Sequence, residues 1–354
     1  MTHPLLASIG SGRDVFIHQI DALNARALLV RLSAEQLKAA SFLDDRIIAP
    51  GVEAAWVPLV ELDAAASRAP NFVGGMIFHV GHCGSTLLSR LVEEATGVRS
   101  LREPAILRTL AQLLAAADDG AGLWPREKIA ASLHSALNVA GGGAPSIIKA
   151  TSYCGDLAAM IPAPRLFCFV VPATYIASMM SGANPTDLKM HAALRLKRLR
   201  RITGDAIAEL HALSPGEMAA MGWACECAAA LGSTIAPDAK FMSVDFDRFL
   251  ENAANGLTAI IAHLGLSADA ARIDAALSGP LIRSYSKDFS FAYSPTDRRE
   301  IVAENLAAHQ TEVDRGLSWL SRQASTHQAI NDAVGAFGGQ ASLRRRSPAP
   351  NLSP

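Results

Sequence analysis

A glycine-bounded turn between an apolar run and a helical pattern constrains the fold of this chain more than any other feature. Residues 78–91 read FHVGHCGSTLLSRL, with an apolar run that stops at Gly81 and a helix pattern that starts after Gly84. The first turn of a helix leaves backbone N–H groups without partners and carries partial positive charge. Glycine permits a sharp turn and a close approach of a ligand. The stretch therefore predicts a strand, an anion-binding loop and a helix; a turn that binds nothing is the alternative.

Four short apolar runs, separated by helical patterns, predict a parallel sheet. Parallel strands are covered on both faces and are therefore apolar nearly throughout. The runs are 76–80, 146–151, 165–171 and 240–244, and the helical patterns are 85–96, 104–117, 126–138, 174–181, 190–213 and 217–233. This alternation predicts an α/β fold, a three-layer arrangement of the P-loop nucleoside-triphosphate-hydrolase type with a central parallel sheet.

The chain divides into three predicted regions. Residues 1–71 form a short N-terminal extension, in which DVFIHQIDALNARALLVRL favours strands and SAEQLKAASFL favours a helix capped by its serine. Residues 72–325 form the main domain, which becomes mostly helical after 247. Residues 339–354 are polar, proline-rich and basic, which predicts a disordered tail.

Composition excludes several classes of protein. The chain has 354 residues, of which 50% are hydrophobic and 18% charged, so a sizeable core is expected. A net charge of −1 argues against a nucleic-acid partner. No apolar run approaches the ~18 residues that a membrane span requires, and no signal peptide is evident. The five cysteines are irregularly spaced and are predicted to be reduced thiols, which favours a cytoplasmic location.

The loop departs from the sequence of ATP- and GTP-binding loops. Those loops read G-x-x-x-x-G-K-[ST], whereas Ser85 follows Gly84 directly and the lysine is absent. Ser85 and Thr86 are predicted to cap the helix and to supply hydroxyl donors. A small-molecule kinase or another nucleotide hydrolase is therefore the least favoured function.

An ordered set of segments resembles the sulfotransferases that use PAPS (3′-phosphoadenosine 5′-phosphosulfate), in particular the bacterial type. Their loop reads Pro-(Lys/Arg)-Ser-Gly-Thr-Thr, and GHCGST has the same shape position by position. The segments SLREPAIL, IIKAT, PRLFCFVVPATYIASMMS and MSVDFDRFLENAANGLTAIIAHLGL then resemble family segments in the same order. The resemblance covers about residues 74–320.

The resemblance implies a reaction and a set of roles. It implies transfer of a sulfuryl group from PAPS to a hydroxyl or amine of a small-molecule or peptide acceptor, with no metal. The donor's 5′-phosphosulfate would lie on Gly81, His82, Cys83, Gly84, Ser85 and Thr86. Glu103 would be the general base, since an alcohol attacks poorly until its proton has an acceptor. A glutamate favoured by the helix dipole, or a partner for Arg102, is the alternative at that position.

Two cationic positions of the family are changed in this chain. His82 stands where the family has Lys or Arg, and a histidine is cationic only when protonated. Val170 stands where the 3′-phosphate motif has Arg, although Ser178 keeps the motif's serine. Lys149, at a strand end, is predicted either to supply the missing charge or to extend into solvent. These changes leave open a nucleotide- or anion-binding protein without transfer activity.

Three further residues are candidates for contact with the donor nucleotide. Ser178 is predicted at the 3′-phosphate, with a hydroxyl bonded to its own helix as the alternative. Arg198, within RLKRLRR, is predicted to replace the missing arginine, with a solvated basic face as the alternative. Lys287 lies in a late basic stretch that would either cover the nucleotide or form a surface loop.

Overall fold

The computed structural model describes residues 3–204, 207–235, 240–285, 288–292 and 294–339. The predicted tail falls, apart from Gly339, outside the described residues. The strands are β1 Val15–Asp21, β2 Arg26–Arg31, β3 Ala54–Pro58, β4 Gly74–His79, β5 Arg99–Arg102, β6 Ser146–Lys149, β7 Arg165–Phe169, β8 Phe241–Asp245, β9 Ser284–Tyr285 and β10 Asp288–Ala292.

The helices are α1 Pro4–Ser8, α2 Ala34–Ala39, α3 Leu59–Ala66, α4 Ser85–Thr96, α5 Ala105–Asp118, α6 Arg126–Gly141, α7 Pro172–Met179, α8 Asn184–Thr203, α9 Pro215–Gly232, α10 Phe246–Glu251, α11 Ala253–His263, α12 Ala270–Ser278, α13 Pro295–Ala308, α14 Gln310–Thr326 and α15 Gln328–Phe337. Two compact units contain them: Met1–Cys168 with Gly232–Pro295, and Phe169–Leu231 with Thr296–Pro354.

The first unit contains a five-stranded sheet in the order β5-β6-β4-β7-β8, with parallel pairing of β4 to β6, β4 to β7 and β5 to β6. The predicted α/β class with a central parallel sheet is therefore confirmed. Apolar runs identified four of the five strands. The short strand β5 was not predicted, because its sequence RSLR carries two arginines. The carboxyl ends of β5, β6 and β4 are neighbours along one edge of the sheet, which is where the candidate site lies.

The N-terminal residues form an antiparallel meander, β1-β2-β3, followed by α3. The predicted helix after Ser33 is confirmed as α2, since the Ser33 side chain accepts from Gln36 N and Gln36 returns the bond in a capping box. The segment after α2 then pairs with the main sheet. Leu43 N donates to Arg102 O at 2.7 Å, and Ala105 N donates to Leu43 O at 2.9 Å. The N-terminal region thereby holds the backbone on both sides of Glu103.

The second unit, as far as it is described, is built from α7–α9 and α13–α15. Its interior contains charge: Arg195 and Arg198 of α8 both donate to Glu226 of α9, at 3.3 and 3.1 Å. Trp223 Nε1 donates to the carbonyl of Val170 at 2.9 Å. No described helix combines the length and apolar character that crossing a bilayer requires.

Candidate functional site

The loop after β4 turns through left-handed backbone conformations into α4. The φ angles are +93° at Gly81, +50° at His82 and +76° at Gly84, and α4 begins at Ser85. The N–H groups of Ser85, Thr86 and Leu87 precede the first intrahelical bond, which runs from Leu88 N to Gly84 O at 3.1 Å. The predicted strand, loop and helix are therefore present, with the positive end of α4 at the loop.

The cap of α4 differs from the prediction for Ser85 and Thr86. Gly84 is the N-cap and no side chain caps the helix, whereas Ser85 and Thr86 are its first two helical residues and are buried. The reason is steric: a Cβ at position 84 would lie 2.1 Å from the ring of Phe246 and would require a strained φ. Because no side chain of the helix accepts from its first amides, these amides suit an external anion.

Cys83 attaches the loop to the sheet beneath it. Cys83 Sγ donates to Cys168 O at 3.2 Å, and Cys168 Sγ donates to Cys83 O at 3.4 Å. Both side chains are fully buried. The loop is therefore attached to the neighbouring strand β7 by reciprocal bonds that use side chains as donors and main-chain oxygens as acceptors.

His79, the last residue of β4, connects the loop to the end of β6. Gly81 N donates to His79 Nδ1 at 3.0 Å, which makes Nδ1 an acceptor and leaves the proton of the neutral ring on Nε2. Nε2 donates to Ala150 O at 2.9 Å. This second bond requires the same tautomer, so both contacts stabilise a neutral imidazole.

Glu103 and Lys149 form a buried ion pair at the adjacent strand ends. Parallel pairing sets Arg102 of β5 opposite Lys149 of β6, and Glu103 N donates to Lys149 O at 2.7 Å. Lys149 Nζ donates to Glu103 Oε1, with side-chain exposures of 1% for the lysine and 13% for the glutamate. His79 Nε2 lies 3.9 Å from the same oxygen. The structure therefore brings two of the predicted catalytic residues together.

These contacts decide between alternatives that the sequence left open. Arg102 pairs with Glu93 at 2.7 Å, so Glu103 is not its partner. Lys149 is buried and does not extend into solvent. A lysine in such a position is costly unless an anion accompanies it, and here the carboxylate of Glu103 does so. The lysine in turn donates to the carboxylate of Glu103, so the two side chains hold each other at the strand ends.

Backbone strain concentrates at the same edge of the sheet. Of the four described non-glycine residues with positive φ, three follow the neighbouring strands β4, β5 and β6: His82 at +50°, Glu103 at +53° and Tyr153 at +67°. Such conformations cost about 1–3 kcal/mol each and persist only where the surroundings enforce them. For Glu103 the enforcing contacts are the Lys149 carbonyl and the two backbone bonds of Leu43. Strain of this kind often marks a functional site.

The remaining candidates lie in the second unit or outside the described residues. Ser178 is half-buried in the last turn of α7. The solvated-face interpretation of 195–201 is wrong for Arg195 and Arg198, because both are buried against Glu226. The roles of Ser178 and Arg198 toward a nucleotide stay predictions. Lys287 lies outside the described residues.

Sequence reasoning does not identify two residues as candidates, Arg46 and Thr151. The hydrogen bonds that Arg46 donates to Asp44 raise the pKa of Arg46 above its ordinary value, and the carboxylate of Glu103 contributes to the shift. Arg46 is therefore within electrostatic reach of the proposed base. Thr151 Oγ1 is buried and has no hydrogen-bond partner among the described residues. No local signal identifies Arg46, whose position depends on the pairing of Leu43 with β5.

Among described residues, no group of three or more histidine, cysteine or acidic side chains could hold a metal ion. No family model matches the chain, and no curated protein matches it. Among solved structures, it is similar to the sulfotransferase domain from the curacin biosynthetic pathway, at 12% identity and a TM-score of 0.39, covering 70% of this chain and 97% of that one. It is similar to sulfotransferase STF9 from Mycobacterium avium, at 12% identity and a TM-score of 0.38, covering 69% and 79%. Similarity at this level carries no information about activity.

Proposed function

We propose that this protein transfers a sulfuryl group from PAPS to a hydroxyl or amine of an acceptor. The observation that carries the proposal is the uncapped start of α4, turned by Gly81 and Gly84, on the same sheet edge as the Glu103–Lys149 pair. The first element is a seat for a tetrahedral anion, and the second is a carboxylate base with a cation beside it. The resemblance of the GHCGST loop to the loops of PAPS-dependent sulfotransferases supports the choice of donor.

In the proposed reaction, residues 81–86 hold the 5′-phosphosulfate and Glu103 faces the acceptor. The acceptor oxygen or nitrogen forms a bond to sulfur, its proton passes to the Glu103 carboxylate, and the bond from sulfur to the phosphate oxygen breaks. The electron pair leaves on the 5′-phosphate, which gives adenosine 3′,5′-bisphosphate. Once Glu103 is protonated, its side chain no longer neutralises the charge of Lys149. Lys149 and a protonated His82 then stabilise the leaving phosphate.

A second candidate function is nucleotide binding without transfer. It is favoured by His82 and Val170, which replace two cations of the family motif. Val170 is fully buried and its carbonyl accepts from Trp223, so its place is that of a core residue. Loss of charge at both positions would weaken stabilisation of the transition state more than binding of the donor's base and sugar.

Binding and transfer measurements separate these functions. The unfolding temperature is measured with adenosine 3′,5′-bisphosphate, with ATP and with sulfate, and we expect the bisphosphate to stabilise most. PAPS with a labelled sulfuryl group is then incubated with the protein and a metabolite extract, and we expect a labelled product. Stabilisation without any labelled product would favour the second candidate, whereas no stabilisation by the bisphosphate would contradict both.

The role of Glu103 is tested in the same assay. Glu103→Gln keeps the size of the side chain and removes the base, and we expect transfer to fall by about 10²–10⁴-fold. Glu127→Gln, at an exposed position in α6, is the matched control and should leave transfer unchanged. Transfer at the wild-type rate in a folded Glu103→Gln protein would refute the assignment.

A further inference from the structure

A cavity of about 660 Å³ lies in the first unit, at the end of α4 that is remote from the loop. Its walls include Arg90 and Glu93 of α4, Gly97 directly after that helix and Arg99 at the start of β5. At a rise of about 1.5 Å per residue, Gly97 is roughly 18 Å along the helix axis from Ser85. Arg90 is nearer, at roughly 8 Å along the axis from Ser85. None of residues 81–86 lines the cavity, which is therefore separate from the anion-binding loop.

The charges that line this cavity have a positive excess. The cationic side chains are Arg13, Lys38, Arg90 and Arg99, and the acidic side chains are Asp14, Glu93 and Glu94. Two of the three acids are neutralised by arginines that do not line the cavity: Asp14 pairs with Arg31, and Glu93 pairs with Arg102. The cations of the lining thus exceed the acids that face them.

Two of the arginines are destabilised in their charged form by their positions. Burial lowers the pKa of Arg90 to about 10, and the charge of Arg102 adds to the shift while Glu93 opposes it. Burial likewise lowers the pKa of Arg99 to about 10, with Arg13 adding and Glu93 opposing. Their charged forms have lost water and face other cations, so an anion entering the cavity would be stabilised by them.

The arginines differ in their availability to a ligand. Arg13 and Arg99 donate to backbone carbonyls of residues 141 and 145, and of residues 13 and 140, and so hold loops together. Arg90 is 6% exposed and donates to Ser41 Oγ at 3.3 Å. Lys38 is exposed at the rim on α2. Arg90 and Lys38 are therefore the cations best placed to contact a ligand from inside and from the entrance.

We propose that this cavity binds a small organic anion, a phosphate- or carboxylate-bearing metabolite with an apolar portion. The anionic group would lie against Arg90 and Lys38, and the apolar portion against Leu32, Leu37 and Leu281, which also line the cavity. The volume falls within the ~300–1,000 Å³ of ordinary ligand pockets. This site is independent of the proposed sulfuryl transfer, and neither depends on the other.

Calorimetric titration with 1-naphthyl phosphate, a dianion with an apolar ring, tests the proposal. We expect Arg90→Met to weaken binding at the cavity at least tenfold and Lys38→Glu at least fivefold. Lys240→Glu is the matched control, because it reverses an exposed lysine just before β8, at the opposite edge of the sheet from β5. The two edge strands, β5 and β8, are four strand spacings apart, which is roughly 19 Å at about 4.8 Å per spacing.

A second set of variants distinguishes the cavity from the loop. His82→Glu places a negative charge in the loop and should leave the cavity's affinity for 1-naphthyl phosphate unchanged. The proposal is overturned if Lys38→Glu binds as tightly as the wild type, or if His82→Glu abolishes all binding. Because Lys38 is exposed, its variant keeps the test valid even if the buried substitution at Arg90 prevents folding.

Discussion

At the residue scale, the pair of Glu103 and Lys149 combines two energetic costs at neighbouring strand ends. Lys149 is buried, Glu103 has a left-handed backbone, and both lie at strand ends. Each cost is offset by a specific contact: the carboxylate compensates the lysine, and the backbone bonds of Lys149 and Leu43 hold the strained peptide. A pair of this kind is poor evidence for stability by itself, because desolvation of both ions opposes their attraction. We therefore attribute the pair to the proposed function of Glu103 and not to stability.

A double-mutant cycle on this pair should show strong coupling. Glu103→Gln removes the carboxylate beside a buried cation, and Lys149→Met replaces that cation with an apolar side chain of similar length. We expect each single change to lower the free energy of unfolding, and the double variant to recover about 1–3 kcal/mol of the summed loss. Urea unfolding of the four proteins measures the coupling. Additive losses would show that the two side chains are not in contact.

At the element scale, α4 begins and ends with a left-handed glycine. Gly84 has φ +76° and Gly97 has φ +73°, so the backbone strain of a side chain is the same at both ends. The surroundings differ: a Cβ at position 84 would overlap the Phe246 ring at 2.1 Å, whereas at position 97 it would meet the flexible end of Arg272 at 3.1 Å. At the loop end of the helix an aromatic ring packs against the glycine, whereas at the other end only a flexible side chain is near.

The two glycines therefore provide a matched test of the loop. Gly97→Ala should cost about 1 kcal/mol of unfolding free energy, from backbone strain alone. Gly84→Ala should cost about 1–3 kcal/mol more, since the ring must also move. Gly84→Ala should in addition reduce binding of adenosine 3′,5′-bisphosphate, while Gly97→Ala should not. Equal losses in the two variants would mean that Phe246 does not shape the loop.

The short helix α10, which supplies Phe246, has a cap that is unfavourable at neutral pH. Asp245 is its N-cap and accepts from Asp247 N and Arg248 N. Burial nevertheless raises the pKa of Asp245 above its ordinary value, and the charge of Asp247 adds to the shift against the cap's hydrogen bonds. A carboxyl with a raised folded-state pKa binds protons more tightly when folded. Its stabilising contribution is present at low pH and is lost as the pH rises through that pKa.

Asp245→Asn should therefore raise the free energy of unfolding at pH 7 relative to the wild type. Asparagine caps as well as aspartate and has no charge to desolvate. The gain should shrink as the pH is lowered toward and below the ordinary pKa of aspartate, which urea unfolding at pH 7, 5 and 4 would measure. Asp269→Asn, at the exposed N-cap of α12, is the control and should not show this gain. A gain independent of pH would contradict the assignment to ionisation.

At the scale of the whole molecule, the sequence predicted the features that burial dictates and could not predict those that depend on pairing between distant segments. Strands covered on both faces are apolar, and this predicts β4, β6 and β7. The run FMSV predicts β8 in the same way, although that strand is only partly buried. The sequence of β5 does not predict a buried strand because it contains Arg102. That arginine is buried because it donates to Glu93 and to the carbonyl oxygens of residues 37, 38 and 40. Without β5, nothing in the sequence places Glu103 beside Lys149, 46 residues later.

The same reasoning explains the errors in the second unit and in the loop. RLKRLRR has the pattern of a solvated basic face, but Glu226 on another helix draws Arg195 and Arg198 into the interior. Ser85 and Thr86 have good capping side chains, but Phe246, far away in sequence, leaves room only for glycine at the cap. In each case a contact distant in sequence overrides a sound local preference.

The stabilisation of the whole molecule by a bound anion should depend on the charge of His82. A ligand that binds only the folded state stabilises it by RT ln(1 + [L]/Kd). When the ligand concentration is well above Kd, each tenfold loss of affinity therefore lowers the free energy of unfolding by about 1.4 kcal/mol. A protonated His82 would attract the anionic donor product, whereas a neutral ring would not. We therefore expect the rise in unfolding temperature with adenosine 3′,5′-bisphosphate to diminish as the pH is raised from 6 to 9. His82→Lys, which keeps its charge over this range, should remove the decline, and His82→Gln should give the smaller rise at every pH. An equal rise at pH 6 and 9 in the wild type would show that imidazole charge does not contribute to the site. Lys149 would then be the cation that replaces the lysine or arginine absent from the loop.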